Sequence, residues 1–373
     1  MPQSIRGRSF IRSWIYAITL ITGSVIAAAL IIDPYGISPL NLSIPGINET
    51  RTERTSIDRL IKPVEVMLRQ PRTVILGTSR VKQGLDPSVF QGTPDWPAYN
   101  LGMDFSGPAE TILFMEKLLP RIDALKKVFI EININHFYFI RPPVVDLSWS
   151  ALAGKVIKMV FTLDALKAAA RTIVRNRSYE GHPWWLRQDG VTGHVPDRFL
   201  NQDVPNFLAN VLPGWNAEYS LGNNQAKALD RIAALCRDNG WECVYFIAPY
   251  HPYDLVATKL SNDFESYQAV KRYFVKRGET LWDFTAFNRF TEEPVSEKME
   301  FWSDINHFKM NVGGWMLEIM SGRRRTGLPD NFGVRLTPDN VEGTAQHWQS
   351  GLAAWMAEHN KETVAIQQGL EGK

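Results

Sequence analysis

From Trp14 to Ile32 the chain carries no charged residue. A helix of about 20 apolar residues is long enough to cross the hydrocarbon core of a bilayer, so this run confines everything after it to one side of a membrane. Arg6, Arg8 and Arg12 precede it, and no lysine or arginine follows until Arg51. The positive-inside rule then puts the N-terminus in the cytoplasm and the body of the chain outside, as a single-pass protein of the inner (plasma) membrane with a periplasmic or otherwise extracytoplasmic domain. Ala27-Ala28-Ala29 offers a small-residue cleavage site, so a removed signal peptide is the rival reading. The apolar run continues through Leu30, Ile31 and Ile32, which favours an uncleaved anchor.

The remaining residues are enough to bury a full core. With 45% hydrophobic and 21% charged residues the composition is that of a globular protein. A net charge of +2, with no basic cluster interleaved with aromatics, gives no reason to expect nucleic acid. The run Arg323-Arg324-Arg325 reads as a solvated turn or as a contact for an anionic lipid or glycan. Two cysteines, Cys236 and Cys243, exclude a disulfide scaffold and a four-cysteine zinc site. Whether they bridge or stay as two thiols is open at this level. No phosphate loop, zinc-binding H-E-x-x-H or G-x-S-x-G elbow occurs, so no cofactor and no metal is expected.

Along the chain, residues 1–36 form the cytoplasmic tip and anchor, and 37–72 a connector ending in a helix near Thr55 to Gln70. Residues 73–136 and 220–320 carry a strand, helix, strand rhythm. Strands are expected at Thr73 to Leu76, Ala98 to Leu101, Lys127 to Ile134, Cys243 to Ala248 and Thr280 to Phe284. Helices start at Pro108 behind a Ser106 cap, at Gln225 and at Asp263, with a closing one from Val312. Such a rhythm implies a parallel sheet covered on both faces, a three-layer α/β/α fold. Residues 137–219 interrupt it as a helical, aromatic insertion, with a Thr162-capped helix followed by Trp184, Trp185, Phe199, Phe207 and Trp215. Residues 321–373 form a helical tail starting at Thr337-Pro338, with Val341, Ala345, Trp348, Leu352, Trp355 and Met356 on one side.

The chemistry gathers at two places. After the apolar strand Val74-Ile75-Leu76, Gly77 allows a sharp turn that delivers Thr78, Ser79 and Arg80 to the carboxyl rim of the sheet, where ligands bind in open α/β folds. Ser79 is the candidate nucleophile. Its base must come from elsewhere, and FWSDINH supplies Asp304 and His307 three residues apart, a spacing that puts both on one face of a helical turn. Arg80 is either an anchor for an anionic substrate or half of a structural ion pair. His251 and Tyr253 follow the strand ending at Ala248 and so reach the same rim, where they are candidate substrate contacts, with His251 alternatively a satisfied loop residue.

In these blocks the sequence resembles the SGNH or GDSL hydrolases, whose serine follows the first strand and whose D-x-x-H pair lies near the C-terminal end. Gly77-Thr78-Ser79 matches their first block and Asp304-Ile305-Asn306-His307 their last. The resemblance spans Val74 to Phe137 and Gly240 to Leu317. It implies a flavodoxin-like sheet in the order 2-1-3-4-5, and oxyanion donors at Gly102 in YNLGMDFSG and Asn135 in EININHF. Thr78 stands where the family has aspartate and Asn133 where it has glycine. With the anchor, these departures resemble the divergent cell-envelope branch, which includes accessory proteins of polysaccharide O-acetylation and teichoic-acid D-alanylation. Two functions follow as expectations. One is an esterase or O-acyltransferase acting on cell-envelope polysaccharide or an acylated glycan through an acyl-serine. The other is a non-catalytic binding or assembly subunit, partnered by an integral membrane acyltransferase.

Overall fold

The structure is a computed structural model that describes residues 3–38, 40, 42–133, 146–178, 187, 189–192, 223–261, 264–296 and 298–371. The chain divides into two units, Met1–Glu65 with Val145–Gln188, and Val66–Val144 with Asp189–Lys373. The aromatic residues Trp184, Trp185, Phe199, Phe207 and Trp215 expected in the insertion lie outside the described residues.

In the first unit, α1 (Gln3–Ile32) contains one 23-residue segment, Phe10–Ile32, long and apolar enough to cross a membrane, with mean hydropathy 2.3. Its C-terminal carbonyls are satisfied by Asn48, whose Nδ2 donates to Ile31 O at 3.1 Å and Ile32 O at 2.9 Å. Two further helices, α5 (Trp149–Phe161) and α6 (Leu163–Arg177), pack against α1. Each starts at a hydroxyl cap, since Ser148 Oγ accepts from Ala151 N and Thr162 Oγ1 from Ala165 N. Glu53 receives Arg171 and Arg175 at 2.7 and 2.6 Å, and Thr50 and Asn176 exchange two hydrogen bonds.

α2 (Asp58–Arg69) leads into the second unit. There β1 (Thr73–Leu76), β2 (Ala98–Asn100), β3 (Lys127–Glu131), β4 (Glu242–Ile247), β5 (Leu281–Asp283) and β6 (Val334–Arg335) form one sheet ordered β2-β1-β3-β4-β5-β6. The first five strands are parallel in the expected order, and β6 adds an antiparallel edge that the sequence pattern does not announce. A two-residue strand carries too little periodicity to be recognised.

Alternation along the strands sends side chains to both faces. Ile75, Phe129, Val244 and Phe246 pack with α3 (Ser79–Gly84) and α10 (Met310–Met320) through Val81, Leu85, Val312 and Met316. From the other face Tyr245 packs against Phe274 of α9 (Phe264–Lys276), and its hydroxyl reaches Cys236 of α7 (Asn223–Asp238). α4 (Pro108–Lys117) packs on α7. Helices therefore flank a mostly parallel sheet, the α/β architecture expected. Two caps differ from expectation. Gly107 rather than Ser106 precedes α4, and Asn340 precedes the tail helix α11 (Val341–Glu358), which α12 (Asn360–Glu371) follows. Val341, Ala345, Trp348, Leu352 and Trp355 are buried on α11, as their spacing requires.

Cys236 and Cys243 form a disulfide between the end of α7 and the start of β4. Closing so short a loop restricts the unfolded chain only modestly. Replacing both by alanine is expected to lower the unfolding free energy by about 2 kcal/mol, read as a lower denaturant midpoint at unchanged m-value. An unchanged midpoint would show that the bridge adds no stability.

Candidate active site

Ser79 opens α3 at the carboxyl end of β1, held by a local cap in which Thr78 Oγ1 accepts from Arg80 N. Gly77 is required here for space rather than for an unusual φ. A Cβ on it would stand 2.6 Å from Glu131 Oε2 and 2.3 Å from Val81 Cγ2. The bare backbone lets Glu131, at the end of β3, accept from both Thr78 N (2.7 Å) and Thr78 Oγ1 (2.9 Å). Asn133 also reaches Thr78 Oγ1, at 3.5 Å, so the two positions that depart from the hydrolase pattern are in contact. Beside them lies a small cleft lined by Thr78, Ser106, Thr111, Glu131 and Asn133.

The far end of α3 is held by Asn100. Its buried amide donates to Val81 O (2.7 Å) and Leu85 O (2.8 Å), satisfying carbonyls at the helix C-terminus. Sequence reasoning misses both Asn100 and Glu131, although each is a polar residue ending an apolar strand. That placement is the one signal that could have found them.

His307 completes the arrangement from 228 residues away. Its Nε2 lies 2.8 Å from Ser79 Oγ, and its Nδ1 lies 2.7 Å from Asp304 Oδ2. The pair sits in a loop rather than a helical turn, because Asp304 Oδ1 takes the N–H groups of Asn306 (2.7 Å) and His307 (2.8 Å). A short acidic side chain that bonds its own downstream backbone stabilises such a turn against helix. Trp302 and Phe308 bridge on either side and close the loop. Ser79 is partly exposed, and the His307 side chain retains 19% of its surface, so the hydroxyl and imidazole are reachable.

Burial alone would push the His307 imidazole down, but the Asp304 charge and hydrogen bond override it and hold its pKa above the ordinary 6.5. Burial likewise works against Asp304 ionising. The His307 charge and the hydrogen bonds win, and its carboxyl stays below the ordinary 3.8. A carboxylate on Nδ1 fixes the imidazole so that Nε2 faces the hydroxyl, which is what proton abstraction from serine demands.

The other expected site residues are placed differently. Gly102 abuts α3, where a Cβ would meet Lys82 N at 2.6 Å, and its N–H donates to Asn100 Oδ1 at 2.9 Å. That amide is thus spent within the chain. Asn135 lies outside the described residues. Arg80 forms no ion pair among the described residues. Its guanidinium lies over the Tyr250 ring, 4.1 Å from the centroid, and its three nitrogens are buried without a hydrogen-bond partner among the described residues. His251 is a correction. It is 2% exposed, caps α8 (Pro252–Leu260) by accepting from Tyr253 N, and turns Nε2 to Glu293 O at 3.0 Å. Burial lowers its pKa to about 4, so it is a neutral helix cap with both ring nitrogens engaged, rather than a contact at a pocket mouth. Tyr253 packs between His251, tilted at 33°, and Trp355, which it meets edge-on.

Asp254, one residue on, carries no sequence signal that marks it for the site. It is buried near Arg80 and Asp304, and with the Asn306 amide oriented to satisfy its neighbours, that amide donates to both Asp254 oxygens. Burial, only partly offset by Arg80, pushes the carboxyl up to about 7. No cluster able to hold a metal ion occurs among the described residues.

No protein-family model matches this chain. No curated protein matches it. Among solved structures, one described as that of "a putative platelet activating factor from Streptococcus pneumonia" shares 15% identity, covers 72% of this chain and 94% of its own, and has a TM-score of 0.32.

Proposed function

We propose that this chain is a membrane-anchored serine esterase or O-acyltransferase of SGNH type that works through an acyl-serine. The observation that carries the reading is the hydrogen-bonded series Ser79 Oγ, His307 Nε2, His307 Nδ1, Asp304 Oδ2. His307 takes the hydroxyl proton as Ser79 Oγ attacks the ester carbonyl. The tetrahedral oxyanion is held by the Ser79 N–H at the head of α3. His307 then gives that proton to the departing alkoxide, leaving an acyl-serine, and water or a sugar hydroxyl repeats the sequence in reverse. Asp304 stays ionised throughout and stabilises the imidazolium.

The cell-envelope polysaccharide as substrate rests on the sequence resemblance. The extracytoplasmic location rests on α1 and on the arginines that precede it. A fluorophosphonate probe tests the chemistry directly. It is expected to label the full-length protein in membranes, and the label is expected to vanish in Ser79→Ala. Folded protein that takes no label would favour the alternative, a binding or assembly subunit beside an integral membrane acyltransferase.

His307 must be neutral to act as base, and its pKa is raised. Activity is therefore present at high pH and lost as pH falls through a value above 6.5. In Asp304→Asn the raising charge is gone and burial dominates, so the acid limb of kcat/KM is expected to move below 6.5. A pH–rate profile whose acid limb is the same in both proteins would contradict the assignment of His307 as base.

A further inference from the structure

Outside the site, the strongest unexplained feature is the exposed side of α5 and α6. Ile157 and Phe161, four apart and so on one face of α5, are each 56% exposed. On α6, Leu163 and Val174 are 74% and 64% exposed, with exposed Ala170 on the same stripe. The opposite faces, through Leu152, Met159, Ala165, Ala168 and Ala169, are buried within the unit. Apolar surface of this extent on adjacent helices marks an interaction site.

Its charge and its neighbour identify the occupant. Across α5 and α6 stand six basic residues against the single acid Asp164; Arg171 and Arg175 are held by Glu53 and Lys167 by Asp164, which leaves Lys155, Lys158 and Arg177 outside these pairs. A helix with a basic rim and an apolar face lies in the plane of a membrane surface. α1, against which both helices pack, is exposed from Phe10 to Ser24 and partly covered from Val25 onward. The covered stretch spans its last two turns, within about 10 Å of its end. α5 and α6 thus sit at the level where α1 would leave the hydrocarbon.

We propose that α5 and α6 form a second membrane contact, in which Ile157, Phe161, Leu163 and Val174 enter an anionic phospholipid surface and Lys155, Lys158 and Arg177 take its phosphates. This rests on the reading of α1 as a spanning helix. The contact anchors the first unit against rotation about α1, because a helix that spans alone is free to turn in the bilayer.

The test uses the full chain in lipid nanodiscs, with single cysteines carrying spin labels at Leu20, Phe161, Leu163 and Gln349; the native cysteines are paired. Relaxation by oxygen and by a water-soluble nickel complex reports depth. In discs rich in phosphatidylglycerol, positions 161 and 163 are expected to favour oxygen as position 20 does, while exposed position 349 favours nickel. Lys155→Glu with Lys158→Glu is expected to return position 161 toward the aqueous value. Aqueous values at 161 and 163 with a lipid value at 20 would overturn this contact and leave α1 spanning. An aqueous value at 20 would overturn both. Labels at 161 and 163 shielded from both relaxants would show a protein covering this face instead. Equal depth in phosphatidylcholine would overturn the anionic preference.

Discussion

Ser79→Ala is expected to lower kcat/KM on a small acetyl ester by about 10⁵-fold or more, because the hydroxyl is the only atom that can carry the acyl group in the mechanism above. His307→Ala is expected to cost a similar factor, and the double substitution no more than either alone. Groups that act as one unit fail together, since a serine without its base is as inert as a base without its serine. Asp304→Asn is expected to cost less, about 10⁴-fold, because the imidazole remains but its orientation and charge stabilisation are lost. Steady-state kinetics on purified full-length protein, with circular dichroism to confirm folding, distinguish these outcomes. Full activity in Ser79→Ala, or additive losses in the double variant, would sink the acyl-serine mechanism.

Lys271→Ala is expected to destabilise the fold by about 3–5 kcal/mol, because it strands a buried carboxylate. Lys271 on α9 and Asp283 at the end of β5 meet at 2.6 Å with side chains 1% and 0% exposed. Asp283 Oδ1 also accepts from Thr285 N, so the carboxylate cannot turn to water when its partner is removed. The Lys271 ammonium lies 5.9 Å from the ring centroid of Trp348 on α11, which ties the tail helix to the same pair. A companion variant separates pairing from packing. Lys271→Met with Asp283→Leu removes both charges together and is expected to fall within about 1 kcal/mol of the parent or above it. Denaturant midpoints measure both. A loss below about 1 kcal/mol in Lys271→Ala would show that this pair is not desolvated in solution.

Some features are legible in the amino-acid sequence alone because their causes are local. The charge-free run in α1 needs only length and composition to be a spanning candidate. Val74-Ile75-Leu76 and Val244-Tyr245-Phe246-Ile247 are short β-branched and aromatic runs bounded by turn residues, and they form β1 and β4. Asp304 and His307 can be paired from the sequence because three residues separate them, even though they meet in an Asx-stabilised loop rather than a helix. Thr162 caps α6 for an equally local reason.

Only the tertiary structure decided which distant groups face one another. The sequence can nominate Ser79 and His307, but their 2.8 Å contact depends on the stacking of β1, β3, β4 and β5 and on the packing of α10 behind α3. Glu131 and Asn100 hold the two ends of α3 from neighbouring strands, a role no periodicity announces. His251 follows β4 as its place along the chain requires, yet its ring turns inward to cap α8. The pairing of Cys236 with Cys243 likewise depends on where α7 ends and β4 begins. Periodicity and capping are set by a side chain's near neighbours in sequence, so composition and spacing reveal them. The direction a polar side chain takes is set by whichever partners the packed strands bring within hydrogen-bond reach, and those partners exist only once the sheet has formed.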